Sequence, residues 1–276
     1  MTLRVTLLML VLLPAVATAG SKIIGTGGAT TIEGNAGGGI VPWAVINGYA
    51  SSEEWSVTTF ASRVGVNNFN LSSGGIALSF DNRWELSYAR QRFALESIGG
   101  NLAQDIFSVK YHLAGELLYT AMPQLSFGIS HKRNADFALP EAVGAKSANG
   151  TDFYLAASKV LFHQLAGRNL LLNGTIRATK ANQTGLLGFG SAIDNDYQFL
   201  FEGSAALLLN YNLALGIEFK QKPDNLAFAA EQHWRDIFIA WFINKNVSLT
   251  GAYVDLGHIA GQGSQTGYYL ALEATW

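Results

Sequence analysis

Five histidines, His112, His131, His163, His233 and His258, are the first place to look for chemistry in this 276-residue chain. A hydrolase needs an imidazole beside a nucleophile and a carboxylate to orient it. Cysteine is absent, no Gly-x-Ser-x-Gly frames a serine, and no His-x-x-x-His spacing offers a metal pair. Only a triad assembled in space around His112 or His233 would make this an enzyme, so no enzymatic activity is expected. Asp194-Asn-Asp196 presents hard oxygens that suit Ca²⁺, but without the rest of an EF-hand loop it reads as a polar turn. Gly25-x-Gly27 has Thr30 where a dinucleotide fingerprint needs its third glycine, and no helix follows. No cofactor or metal is expected.

More of the ionisable chemistry sits where strand alternation displays it. Leu213, Leu215, Ile217 and Phe219 oppose Ala214, Gly216, Glu218 and Lys220, while Phe107, Val109, Tyr111 and Leu113 oppose Ser108, Lys110 and His112. Successive side chains of a strand point to opposite faces, so each stretch has one apolar face and one that is small or charged. Twelve such spans can be marked: 55–64, 71–80, 84–93, 105–113, 124–133, 152–162, 170–179, 197–209, 213–222, 233–243, 247–256 and 266–276. Spans 152–162 and 233–243 are apolar on both faces, which leaves their register open.

Residues 1–19 read as a secretory leader: Arg4, an apolar run from Val5 to Val16, then Ala17-Thr18-Ala19. Loss of Arg4 leaves 17 basic against 20 acidic side chains, a balance that points away from nucleic acid. Beyond the leader no apolar run approaches the roughly 18 residues of a spanning helix, although 49% of the chain is hydrophobic. A membrane protein built from strands must close them, because hydrocarbon satisfies no backbone N–H or C=O. Alternation does not say which face is inside, but the connections do. Short ones (81–83, 163–169, 210–212, 244–246) alternate with longer ones (94–104, 134–151, 180–196, 223–232, 257–265), as in membrane barrels, with 114–123 long and 65–70 short for their places. The expected fold is all-β: a transmembrane antiparallel up-and-down β-barrel of about 12 strands, or about 14 if 41–50 and part of 23–33 join the wall.

In such a barrel the ionisable rows face the lumen, since each on the lipid face would cost about 2–4 kcal/mol. That set is Glu85, Lys110, His112, Glu202, Glu218 and Glu273, joined by Asn173 and Thr175. A second set lies at the ends of the rising strands: Arg90, Arg92, Lys132, Arg133, Arg177, Lys220 and Lys222. It is expected as a basic rim for lipopolysaccharide phosphates. Residues 20–50, rich in glycine, are expected as a periplasmic segment or lumen plug ahead of a barrel at 51–276.

Two resemblances sharpen this. Gly267-Tyr-Tyr-Leu-Ala-Leu-Glu-Ala-Thr-Trp276 resembles the closing strand of bacterial outer-membrane β-barrels. The resemblance implies that Tyr268, Leu270, Leu272 and Trp276 are read by the barrel assembly machinery. Four stretches are similar to an envelope-protein family of unknown function in proteobacteria, the one numbered 3034. They are Gly34-Asn-Ala-Gly-Gly-Gly-Ile-Val-Pro-Trp-Ala-Val-Ile-Asn-Gly-Tyr49, the run from Gly167 to Gly190, Lys222-Pro-Asp-Asn225 and Ala252-Tyr-Val-Asp-Leu-Gly257. That resemblance implies the cell outer membrane of a Gram-negative bacterium and supplies no catalytic residue. The expected function is a passive diffusion channel for small molecules, its lumen partly filled by the N-terminal segment. A structural or envelope-maintenance barrel without transport is the alternative, and a lipid-modifying enzyme the third. Outer-membrane lipid, lipopolysaccharide, the assembly machinery and a small solute are the expected partners.

Overall fold

The computed structural model describes residues 20–96, 99–226 and 231–276; the expected leader lies outside them. Two short strands, β1 (Ala29–Thr30) and β2 (Ala36–Gly37), pair only with each other. The twelve that follow form one closed sheet: β3 (Trp55–Val66), β4 (Phe69–Phe80), β5 (Trp84–Leu95), β6 (Asn101–Ala114), β7 (Gln124–Asn134), β8 (Asn149–Leu165), β9 (Arg168–Thr179), β10 (Gln198–Leu208), β11 (Leu213–Lys220), β12 (Trp234–Phe242), β13 (Val247–Ile259) and β14 (Gln262–Thr275). Each is antiparallel to its neighbours in sequence. The ring closes where Leu272 of β14 faces Ala61 of β3. Val57 and Trp276 exchange both backbone hydrogen bonds at that seam, 2.8 and 2.9 Å. The wall therefore leaves no open edge.

The strand count is the smaller of the two expected. Residues 41–50 stay out of the wall. The external connections are shorter than expected in two places, since β5 and β6 run on to Leu95 and Asn101, and β13 and β14 to Ile259 and Gln262. Alternation continues through those residues, so the hairpins project further.

The faces sort as a membrane barrel requires. Ile217, Leu270 and Phe107 are more than half exposed, whereas Lys110, Glu85 and Glu202 are 1% exposed or less. Apolar rows outside and ionisable rows inside invert the arrangement of a water-soluble barrel. Both doubly apolar strands resolve the same way. Asp152, Tyr154 and Ser158 of β8 point inward, as do Trp234, Phe238 and Phe242 of β12. Ile217, midway along β11 and flanked by Ala205 and Ile237, faces lipid. An Ile217→Arg change should lower stability in vesicle unfolding titrations by about 2–4 kcal/mol. A loss below ~0.5 kcal/mol would contradict this orientation.

Candidate functional site

Every residue from Gly27 to Ala50 is buried. This stretch has few long side chains and little secondary structure of its own, so its backbone groups need partners elsewhere. The wall supplies them. Glu85 accepts from the N–H groups of Ala36 (3.1 Å) and Asn47 (2.8 Å), Glu218 from Ile40 (2.8 Å) and Ser158 from Ala44 (2.8 Å). On the carbonyl side, Ser73 and Gln91 both donate to Ile32 O at 2.7 Å. Lys110 donates to Ala36 O and Val45 O at 3.1 and 3.0 Å. Thr175 donates to Pro42 O at 2.8 Å, and Lys220 to Ile40 O at 3.1 Å. Inward side chains of β4 to β11 and of β14 thus hold the segment as a peptide ligand would be held. A β-carbon on Gly38 would collide with the Glu218 carboxylate, so glycine is what lets the backbone approach the wall there.

One side chain of the segment enters a buried ionic network. Glu33 lies 2.7 Å from Lys132, 3.3 Å from Arg177 and 3.5 Å from Lys220. Asp152 and Glu202 complete it, at 2.9 Å from Lys132 and 2.5 Å from Arg177 Nε. Three carboxylates and three cations balance, which is the condition under which buried charges are tolerated.

A second insertion comes from the opposite end of the barrel. Residues 181–191, between β9 and β10, are buried. Lys132 donates to Thr184 O at 3.0 Å and Asn134 to Leu186 O at 2.6 Å. Leu186 packs with Ile32, Val64 and Phe93 around a void of only about 20 Å³. The void at the ionic network is about 10 Å³. Each has room for about one water.

Of the lumen set, Glu85, Lys110, Asn173, Thr175, Glu202, Glu218 and Glu273 all point inward and are buried. His112 is half-buried at the end near the chain termini, its ring nitrogens 3.2 and 2.9 Å from the carbonyl oxygens of Asn82 and Gly115. His131 faces outward and meets Thr151 Oγ1 at 3.0 Å, and His233 Nδ1 accepts from the Lys222 N–H at 3.3 Å. Asp194 Oδ1 accepts the Asp196 N–H at 2.8 Å, closing a polar turn.

The basic rim needs correction. Arg90, Arg92 and Arg133 face outward, Arg90 paired with Asp105 at 3.0 Å. Lys132, Arg177, Lys220 and Lys222 do not; all four are buried. The reason is parity. Lys132 and Arg133 are adjacent and cannot share a face, Arg177 follows Asn173 and Thr175 on the inner row, and Lys220 follows Glu218. Lys222 folds inward against Glu231 at 2.5 Å. Arg63, on the outer row and linked through Ser72 to Arg92, belongs with the rim and was missed. The 181–191 insertion was also missed, although its Gly-Leu-Leu-Gly-Phe-Gly run is apolar for an external loop.

The family model described as Protein of unknown function (DUF3034) matches residues 26–273. No curated protein matches the sequence. Among solved structures the chain is similar to the KdgM porin in complex with disordered oligogalacturonate (10% identity, 80% of this chain, 99% of that one, TM-score 0.49). It is also similar to the COG4313 outer membrane channel from Pseudomonas putida F1 (13%, 81%, 95%, 0.45). A third likeness is to outer membrane phospholipase A from Escherichia coli (8%, 80%, 91%, 0.35). The strand pairing, and not these likenesses, defines the barrel.

Proposed function

Because this chain belongs to the family described as Protein of unknown function (DUF3034), whose description gives no activity, we propose from the geometry of its outer-membrane barrel that it is a passive diffusion channel for small molecules, closed while residues 20–50 fill the lumen. The observation that carries this reading is how the segment is held. It takes no part in the pairing that closes the wall, and its bonds to the wall run mainly through side chains. Withdrawal would leave twelve strands intact around a lining of Glu85, Lys110, Asn173, Thr175, Glu202, Glu218 and Glu273. Mixed charge suits small polar solutes of either sign. The alternative, a structural barrel without transport, draws its support from the small voids at Leu186 and at the ionic network, about 20 and 10 Å³.

The outward arginines Arg90, Arg92 and Arg133, with Arg63, form a basic band that suits lipopolysaccharide phosphates. Tyr268, Leu270, Leu272 and Trp276 form the outer row of the closing strand, where the assembly machinery would read it.

A tether tests the gating. The chain has no cysteine, and the Ala44 N–H donates to Ser158 Oγ at 2.8 Å, so Ala44→Cys with Ser158→Cys puts one cysteine of the segment beside one of the wall for oxidative joining. Proteoliposomes should swell in small sugars when the pair is reduced and stay tight when it is oxidised. Equal rates in both states would contradict a segment that moves to open the pore.

A further inference from the structure

Two wide cavities open at the barrel end that carries Trp276 and the start of β3. One, about 560 Å³, is lined by Lys22, Ile46, Arg83 and Gln124. The other, about 490 Å³, is lined by Val160, Leu171, Leu208, Leu213 and Phe242, with Arg168. Ile23, Thr26 and the stretch Leu117 to Tyr119 line both, so the compartments are neighbours across that stretch. Each has the size of a small-molecule site.

Their chemistry differs by origin. The inward ends of β8, β9, β10 and β12 are apolar here, whereas the side formed by β5, β6 and β7 presents Arg83, His112 and Gln124. Lys22 and Arg83 line the first compartment together with the exposed Glu116, and Arg168 lines the second. Among the described residues no carboxylate lies within ion-pair distance of Lys22, Arg83 or Arg168, while Lys110, Lys132 and Arg177 deeper in the lumen are all paired. Lys22 Nζ donates to a single neutral acceptor, Ile46 O at 2.9 Å, which leaves donors free.

We propose that this mouth binds a small amphiphilic anion, an alkyl carboxylate of medium chain length, with its hydrocarbon against Leu171, Leu208 and Phe242 and its carboxylate toward Lys22 and Arg83. A neutral hydrophobe would leave the two cations unanswered, and a free inorganic anion would leave the apolar compartment wet. The site exists with the segment in place, so it stands whether or not the lumen ever opens. Ile23 and Thr26 border both compartments, so an occupant touches the leading end of the segment.

The test uses the full-length protein in lipid nanodiscs, because detergent is itself an amphiphile and would compete. The probe is decanoate carrying a terminal diazirine, photolysed and mapped by mass spectrometry. Labels should fall on 117–119, 160–171 and 208–213, and excess unlabelled decanoate should remove them. Lys22→Gln with Arg83→Gln should raise the half-labelling concentration about tenfold. Leu171→Trp, which fills the apolar compartment, should abolish labelling there while heat-modifiable gel mobility reports an intact barrel. Labels confined to lipid-facing residues such as Phe107, Ile129 and Leu270 in the unmodified protein would overturn the proposal. Site labelling unchanged in both variants would do the same.

Discussion

Replacing Glu33 with Gln is expected to loosen the N-terminal segment while the wall stays folded. Glu33 is the only carboxylate that the segment contributes to the buried network, and it faces Lys132, Arg177 and Lys220 at once. Its neutralisation leaves three cations against Asp152 and Glu202 in a space that holds about one water. Breaking a buried charge network by removing one partner costs about 3–5 kcal/mol. Every 1.4 kcal/mol is tenfold in an equilibrium, so the segment's open population should rise about 10²- to 4 × 10³-fold. The seam between β3 and β14 has no part in this, so the barrel itself should survive. Hydrogen exchange reads the effect directly. Amides of residues 27–50 should exchange faster by that factor, while those of β3 to β14 keep their protection. Unchanged exchange in the segment would show that Glu33 does not anchor it.

Deleting residues 22–39 is expected to produce the largest conductance change, and the external insertion sets its ceiling. The segment bonds to side chains around most of the lumen, whereas residues 181–191 bond chiefly to Gln104, Lys132, Asn134 and Lys222. Two obstructions in series pass only what the narrower allows. Replacing 182–188 with a short Gly-Ser linker should therefore change little by itself. In the 22–39 deletion the same replacement should widen the path further. If the linker alone opens the pore, the segment is not the main barrier.

Much of this architecture was legible in period-two alternation, and the failures are instructive. The rows of β11 and β6 sorted cleanly because their inner residues are ionisable, as Glu218 and Lys110 show. On β12 the outer row carries Arg235 and the inner row carries Trp234, Phe238 and Phe242 beside a lone ionisable Asp236, so charge does not separate the two faces. Those side chains face inward because the lumen at that level holds protein and not water: Phe238 lies 6.4 Å from the Trp43 ring of the segment, centroid to centroid. A sequence reading that expects a wet lumen cannot see this. The rim error had a simpler source. Arg177 was assigned by its height along the strand, although its parity with Thr175 already placed it inside. Nothing in local sequence showed that Glu33 would meet cations from β7, β9 and β11, since these residues come together only when the ring closes.

The outer row adds a testable geometry of its own. Arg63, Arg92, Arg90 and Arg133 lie on β3, β5 and β7 toward the end away from Trp276. Among the described residues Arg90 alone of these four has an ion-pair partner, Asp105. The proposal that this band meets outer-leaflet phosphates rests on the bidentate contacts that guanidinium groups offer them.

The central claim is that residues 20–50 close a pore that the wall would otherwise leave open. Single-channel recording in planar bilayers tests it, with the intact chain and the 22–39 deletion measured under the same salt and voltage. The intact chain should hold the baseline with rare brief openings, and the deletion should show discrete, long-lived steps. Indistinguishable traces from the two proteins would contradict it.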